Sequence, residues 1–427
     1  MRFITPAHPI ASPRLWREFS ASACTQATLE ITGLGLYRAF LNGERVGRDY
    51  LTPGFNDYDA YLRTQTYDVT AMLRAENRLE VWLGDGWYRG RIGFDGGRTC
   101  LWGDRYLLAA RLTLTAADGR QTVIETDGDW LAAQSPIVDS SIYDGEVRDD
   151  TRPLGDVTAC VPVEVPYATD AQFSPCIRQV AELKPVLIIT PAGEQVLDFG
   201  QNAAGILRFV NRLPYGAQLY IQTGEVLQQG NFYRENLRTA KSEFTYISDG
   251  REKPVEETFA FHGFRYAKVQ GLTRVNPEDF SMVVLSSDLR NTLEAETDSL
   301  ALNRLLLNSL WGQRSNFLDV PTDCPPAGRA SGLDGGHAGV CEHRLLPDGL
   351  SGLLPQVHAR GSAALLRRRH SRLQPQPARA GDPRRRGLGG RCRHHPLERL
   401  HGLRGHGASA RELPHDAGLL RLSAHPG

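Results

Sequence analysis

Asp323 and Cys324, in Thr322-Asp323-Cys324-Pro325, are the residues whose types and neighbours point most directly to chemistry. A carboxylate can orient a polar ligand or move a proton. A thiol beside it acts as a nucleophile only if a base is near, and before Pro326 the histidines are only His8 and His262. Trp87 and Tyr88, flanked by Gly86 and Gly90, could cover the apolar face of a sugar ring. The competing reading packs them under a loop, the commoner place for Trp in an all-β unit. Asp57, Asp59 and Asp85 could give oxygen ligands to calcium, but they lack EF-hand spacing and also fit solvated turns. Arg234, Glu235, Asn236, Arg238 and Lys241 suit a polar ligand and equally a solvated loop.

The elements that hold these residues are mostly strands. Leu29-Glu30-Ile31, Tyr37 to Leu41 and Leu79 to Leu83 alternate apolar with polar positions, and Asn42-Gly43 and Asp118-Gly119 are tight-hairpin signals. Short strands with Gly, Asn and Asp turns predict an antiparallel β-sandwich over 1–165. Composition turns proline-rich at Val163 to Pro166, and a second all-β unit is expected over 166–287, with His262 as a structural strand residue. A helix follows: Thr297, Asp298 and Ser299 offer N-caps, and Leu302, Leu305, Leu306, Leu310 and Trp311 recur at helical spacing. Pro321 forces an extended exit toward Asp323.

Charge is balanced, with 49 basic and 49 acidic residues, so composition points to neither nucleic acid nor an anionic membrane. No run of about eighteen apolar residues is present, and the first ten residues lack a signal-peptide core. The expectation is a cytoplasmic protein without a disulfide framework, in which Cys24, Cys100, Cys160 and Cys176 read as ordinary reduced thiols. Every one of the 15 Phe, 14 Tyr and 6 Trp lies at or before Phe317, whereas residues after Pro326 hold no Lys, Ile, Thr, Asn or Met. That tail has Arg367-Arg368-Arg369, Arg384-Arg385-Arg386 and a Cys392, His394, His395 cluster. A phosphate-binding arm, a metal site and a disordered linker are the competing functional readings, and the last fits a segment with so little to bury.

The run from Trp311 to Pro325 resembles the opening of the catalytic domain of bacterial α-L-rhamnosidases, glycoside hydrolase family seventy-eight, which continue from TDCP with QRDERLGWTGD. Three glycine-rich blocks, Asn42 to Gly47, Thr52 to Tyr58 and Gly84 to Gly90, resemble the N-terminal jelly-roll module of that family. Val196 to Gly205, Gly224 to Leu227 and Phe259 to Ala267 resemble the sandwich that precedes its barrel. The resemblance covers about residues 28–325 and implies that 288–325 opens an (α/α)₆ barrel. It also implies that Asp323 binds the sugar and that a glutamate in the following RDER is the general acid. Arg329 stands where that acid would fall, and a guanidinium cannot donate the proton. The general base is expected in barrel sequence beyond Gly427.

The genetic code offers a further reading of 326–427. If the last two bases of each codon are joined to the first of the next, Pro326 to Gly336 become compatible with QRDERLGWTGD at eleven consecutive positions. Gly328 followed by Arg329 permits Asp, Arg329 followed by Ala330 permits Glu, and Leu333 followed by Asp334 permits Trp. The same offset turns Leu388 to Leu397 into WGDAAVTIPW, similar to a second motif of the rhamnosidase barrel. One extra base, or two missing, near the Cys324-Pro325-Pro326 codons accounts for both.

The expectation is therefore a mainly β protein: two antiparallel, jelly-roll-like sandwiches, the first helix of an incomplete (α/α)₆ barrel, and a largely disordered tail. Its implied substrates are rhamnose-containing glycosides, hydrolysed with inversion, with no cofactor or metal and no nucleic-acid or membrane partner. As written, the chain is expected to be inactive. The alternative is a non-catalytic carbohydrate-binding protein. Oligomeric state is left open.

Overall fold

The computed structural model describes residues 1–322, except 22–23, 59, 93–96 and 292–293, and a short strand at Arg421–Ser423 that pairs with Glu294–Glu296. Asp323 and Arg329, and with them the tail from 326 to 420, lie outside the described residues.

The first unit is one sheet curled onto itself. Cys24–Leu34, Tyr61–Asp68 and Leu107–Ala116 form one wall, and Pro13–Ser20, Leu36–Leu41 and Glu76–Gly84 the other. Phe3–Pro6, Thr158–Val163 and Leu131–Gln134 join the walls. Alternate side chains of a strand point to opposite faces, so Leu29, Ile31 and Leu112 meet Leu15, Leu79 and Val81 in a shared core. The Asn42-Gly43 turn takes φ of 56° and 84°. A two-residue hairpin loop of the favoured twist needs positive φ at both positions, which is why Asn and Gly stand there.

The second unit is built on Gln195–Asn211, flanked by His262–Gln270 and Phe280–Ser287, with Gln218–Gly224 and Glu243–Ile247 beyond. Leu207, Phe209, Phe244, Phe264, Met282 and Val284 fill its core. Phe280–Ser287 is buried at every position. Met282 and Val284 face this core, while Val283 and Leu285 face a third cluster that lies between the two units.

That third cluster gives the seam an apolar core of its own. It gathers Leu36, Phe55, Leu62 and Trp87 from the first unit, Phe259 and Val283 from the second, and Leu318 from the segment after the helix. Gly84 lies under Phe259 so closely that a Cβ there would come within 2.3 Å of its ring. Arg38 and Arg45 of the first unit and Arg208 of the second surround Glu256, at 3.2, 3.2 and 2.8 Å.

Strands also cross the seam. The hairpin Ile137–Ser141/Gly145–Asp149 pairs with Glu243–Ile247 of the second sheet, whereas Ala168–Ala171 pairs with Tyr61–Asp68 of the first. Both of these crossing pairings are parallel, a departure from the all-antiparallel expectation. Parallel pairing requires a long connection rather than a hairpin, and here the connections pass from one sheet to the other.

The helix spans Leu300–Asn316, with Ser299 as its N-cap, the hydroxyl accepting from the N–H of Leu302 at 3.4 Å. It rests on the second sheet through Trp311 and through Ser315 Oγ, which accepts from the N–H of Ala204 at 3.3 Å. None of its residues is buried, and Leu305 is 59% exposed. Leu300, Leu302, Leu305 and Leu307 are exposed along it.

Candidate functional site

The chain leaves the helix through a tight turn. Phe317–Leu318 pairs with Val320–Pro321, and the N–H of Thr322 donates to the carbonyl of Asn316 at 2.8 Å. Phe317 and Leu318 are buried, Leu318 in the seam core, and Asp319 occupies the turn at φ 69°. A β-carbon disfavours this left-handed conformation, although Asp tolerates it better than most residues.

Arg63 holds Asp319 there. Its Nη1 donates to Oδ1 at 2.7 Å and its Nη2 to Oδ2 at 2.6 Å, and the N–H of Phe55 donates to Oδ2 at 2.6 Å. The Asp319 N–H donates to Ser287 Oγ at 2.8 Å. The other Arg63 donors go to Asn56 Oδ1, Ser174 Oγ and the Phe55 carbonyl. The two side chains are 5% and 3% exposed. Burial opposes the charge on Arg63, but the carboxylate of Asp319 more than offsets it, so the guanidinium titrates above its ordinary range. Gly54 completes the cradle: a Cβ there would stand 2.5 Å from Asp319 Oδ2.

A two-pronged buried ion pair is rigid as well as strong, since planar guanidinium and carboxylate lock both distance and angle. It fixes the turn from which the chain proceeds to Asp323. Arg63 was not singled out in the sequence, although a charged residue in an otherwise inward-facing stretch of strand is a signal of such a partner. Asp319 was visible only as one acidic residue between Leu318 and Val320.

A second polar array lies inside the second unit. His262 places Nε2 at 2.6 Å from Glu257 Oε1 and Nδ1 at 3.0 Å from Ser242 Oγ, which lies 2.7 Å from Thr223 Oγ1. The residue types match a hydrolytic triad. All four are buried, however, and Glu257 Oε2 accepts from the N–H of Leu207. With no opening to solvent, the array serves as a strand lock, in keeping with a structural His262. Glu146, on the crossing hairpin, is likewise buried. Its Oε2 accepts from the N–H groups of Thr258 and Phe259 at 2.9 Å, while Oε1 has no hydrogen-bond partner among the described residues. Burial pushes its pKa up to about 7 against the pull of the Phe259 N–H.

The stacking role considered for Trp87 and Tyr88 is corrected by the structure. They are 1% and 5% exposed, because the single turn Gly86–Arg89 tips both rings into the seam. Trp87 packs edge-on to Phe55, and Tyr88 against Tyr58. Asp85 is engaged by Arg89 at 2.9 Å, Asp59 lies outside the described residues, and no metal-holding cluster occurs among the described residues. In the polar stretch, Arg234 pairs with Glu243 and Asn236 with Glu225. A cleft of about 580 Å³ opens along the seam between Arg45, Arg48, Tyr50, Arg178, Glu182 and Asp288. Asp49 and Asp288 both lie 2.9 Å from Arg178, so that guanidinium is already matched.

Comparison with known proteins gives three successive matches. Residues 22–160 match an alpha-L-rhamnosidase N-terminal domain, 188–286 a bacterial alpha-L-rhamnosidase concanavalin-like domain, and 290–337 a bacterial alpha-L-rhamnosidase six-hairpin glycosidase domain. An alpha-L-rhamnosidase of Streptomyces avermitilis is 38% identical over 329 residues, which is 73% of this chain and 32% of that protein. The chain thus spans about a third of the length of this curated relative. Among solved structures, native α-L-rhamnosidase from Aspergillus terreus superposes with a TM-score of 0.73 at 33% identity, over 77% of this chain and 41% of that one. The Streptomyces avermitilis enzyme complexed with L-rhamnose gives 0.70 at 35%, over 75% and 33%.

Proposed function

Because the chain belongs to the bacterial α-L-rhamnosidases, over the part that runs from their N-terminal domain into the start of the six-hairpin domain, we propose that it derives from an enzyme hydrolysing terminal α-L-rhamnosides with inversion. The observation that supports the reading is the clamping of Asp319 by Arg63, four residues before Asp323 in the sequence. Asp323 binds the sugar in this reading. The acid that protonates the leaving oxygen is the glutamate recovered in the alternative frame at Arg329, and a second carboxylate activates water from the opposite face. The two carboxyls of an inverting glycosidase stand roughly 6.5–9.5 Å apart to admit that water. Departure of a sugar alkoxide at neutral pH requires the acid, so the chain with Arg329 in place does not turn over. The burial of Trp87 and Tyr88 weighs against the alternative of a non-catalytic sugar binder.

The test is hydrolysis of an aryl α-L-rhamnoside by two purified proteins, the 427-residue chain and the product of a gene repaired by one base near codon 326. Turnover by the repaired enzyme alone, abolished when the recovered glutamate becomes glutamine, supports the reading. Turnover by the unrepaired chain, or none by the repaired one, sinks it.

A further inference from the structure

We infer that Glu146 is a proton-operated fastener of the seam, holding Thr258 and Phe259 in place when protonated and letting that segment loosen when ionised, independently of any catalytic role. The segment matters because of where Phe259 goes. Its ring is 1% exposed and lies in the seam core, over Gly84 of the first unit. The backbone behind it is held by side chains: the N–H groups of Thr258 and Phe259 both donate to Glu146 Oε2 at 2.9 Å, and the Thr258 carbonyl accepts from Arg38 Nη2 at 3.5 Å. One carboxyl oxygen thus secures two consecutive amides.

That carboxyl is poorly provided for as an anion. Glu146 is 2% exposed, and neither its Oε1 nor Thr258 Oγ1 has a hydrogen-bond partner among the described residues. The cations around it are engaged with other acids. On its own hairpin Arg148 pairs with Asp150, and Asp144 is matched by Arg91; on the adjoining strand Glu243 is matched by Arg234. Arg38, from the first unit, turns Nη1 to Glu256. Glu257, next to Thr258 and bonded to His262, adds a like charge. A neutral carboxyl therefore suits the closed seam, whereas an ionised one is relieved by admitting water.

The direction of the pH effect follows from the two states. In the closed seam burial holds the Glu146 pKa up at about 7, against the pull of the Phe259 N–H. In a loosened segment open to water it returns to the ordinary carboxylate range. A carboxyl raised in the closed state favours that state fully below its open-state pKa, and the preference is lost as pH rises through the closed-state value.

In the 427-residue chain, the amides of Thr258 and Phe259 report this contact directly. Their protection from exchange, corrected for the intrinsic effect of pH, is expected to fall at least about tenfold between about pH 5 and pH 8. Local opening also makes that exchange insensitive to urea below about 1 M, with Gln195–Asn211 as the reference for global unfolding. Glu146→Gln keeps an acceptor for both N–H groups and cannot ionise, so its protection should stay within about threefold over the same range. Glu257→Gln removes the like charge and should end the fall at a lower pH. Equal protection at both pH values in the wild type overturns the inference, as does a fall that persists in E146Q, which would assign it to His262 and Glu257. Exchange that follows urea in step with Gln195–Asn211, or an end point unmoved by E257Q, overturns it as well.

Discussion

Arg63 and Asp319 lie 256 residues apart and meet as a two-pronged ion pair, at 2.7 and 2.6 Å, sealed between the two sandwiches and the turn after the helix. Removing one partner of such a pair strands a buried charge, which typically costs about 3–5 kcal/mol. Arg63→Ala should therefore destabilise the chain by that order. Combining it with Asp319→Ala should cost clearly less than the two single losses added, because no lone charge remains. Urea unfolding of the four proteins forms a cycle, and additive losses would show that the two residues act independently.

Glu146 gives the chain a pH dependence of unusual sign. Its folded pKa is about 7, above the ordinary 4.5. A carboxyl raised in the fold contributes stability that is full below the unfolded pKa and is lost as pH rises through the folded one. Stability from this group should thus fall between about pH 4.5 and 7, by roughly 3 kcal/mol at most. Glu146→Gln keeps an acceptor for Thr258 and Phe259 and cannot ionise. The variant should melt above wild type at pH 8 and close to it at pH 4.5. Parallel melting curves at both pH values would exclude Glu146 as the source.

Trp87 is a core residue with an indole N–H that has no hydrogen-bond partner among the described residues. Trp87→Ala should cost about 3–5 kcal/mol, the usual range for emptying an aromatic site. Trp87→Phe discards the unpaired donor along with some volume and should cost markedly less. If the ring is only a core element, W87F and the wild type should give the same result when titrated calorimetrically with L-rhamnose. A selective loss of sugar affinity in W87F would return the residue to a binding role.

The helix should govern solubility. Leu302 and Leu305 are exposed on Leu300–Asn316 and form the kind of apolar patch that drives association. Leu302→Gln with Leu305→Lys should reduce light scattering at high concentration and leave the melting temperature within a degree or two. Truncation after Ser287 is a poorer route, since it also removes Leu318 and Asp319 from the seam. If scattering is unchanged in the double variant, association begins elsewhere.

Much of the fold could be read from local pattern. Alternation located the strands, Asn42-Gly43 and Asp118-Gly119 located their turns, and Ser299 capped the expected helix. These signals are local because backbone twist, capping and side-chain alternation are decided within a few residues. Alternation states which face of a strand is buried, but not which sheet it joins. The hairpin from Ile137 to Asp149 could therefore not be assigned to the second sheet, nor Glu146 to an interior where a charged residue is least expected. Arg63 and Asp319 escaped notice for a related reason: each has no meaning without a partner 256 residues away. Trp87 and Tyr88 showed the limit from the other side, since glycines on either flank suit a buried turn as well as an open platform.

The path of the chain between Glu76–Gly84 and Ile177–Leu183 has a practical bearing on engineering. It visits the first sheet, crosses to the second at Ile137–Asp149, returns at Thr158–Val163 and Ala168–Ala171, and crosses again. A chimera spliced at one point in this interval would graft strands of one parent onto the sheet of another, and would mismatch the apolar seam as well. The N-terminal sandwich is therefore not a transferable cassette. Recombination between relatives should yield folded offspring when the breakpoint falls after Thr322, so that Arg63 and Asp319 come from one parent, and should fail when it falls near residue 165.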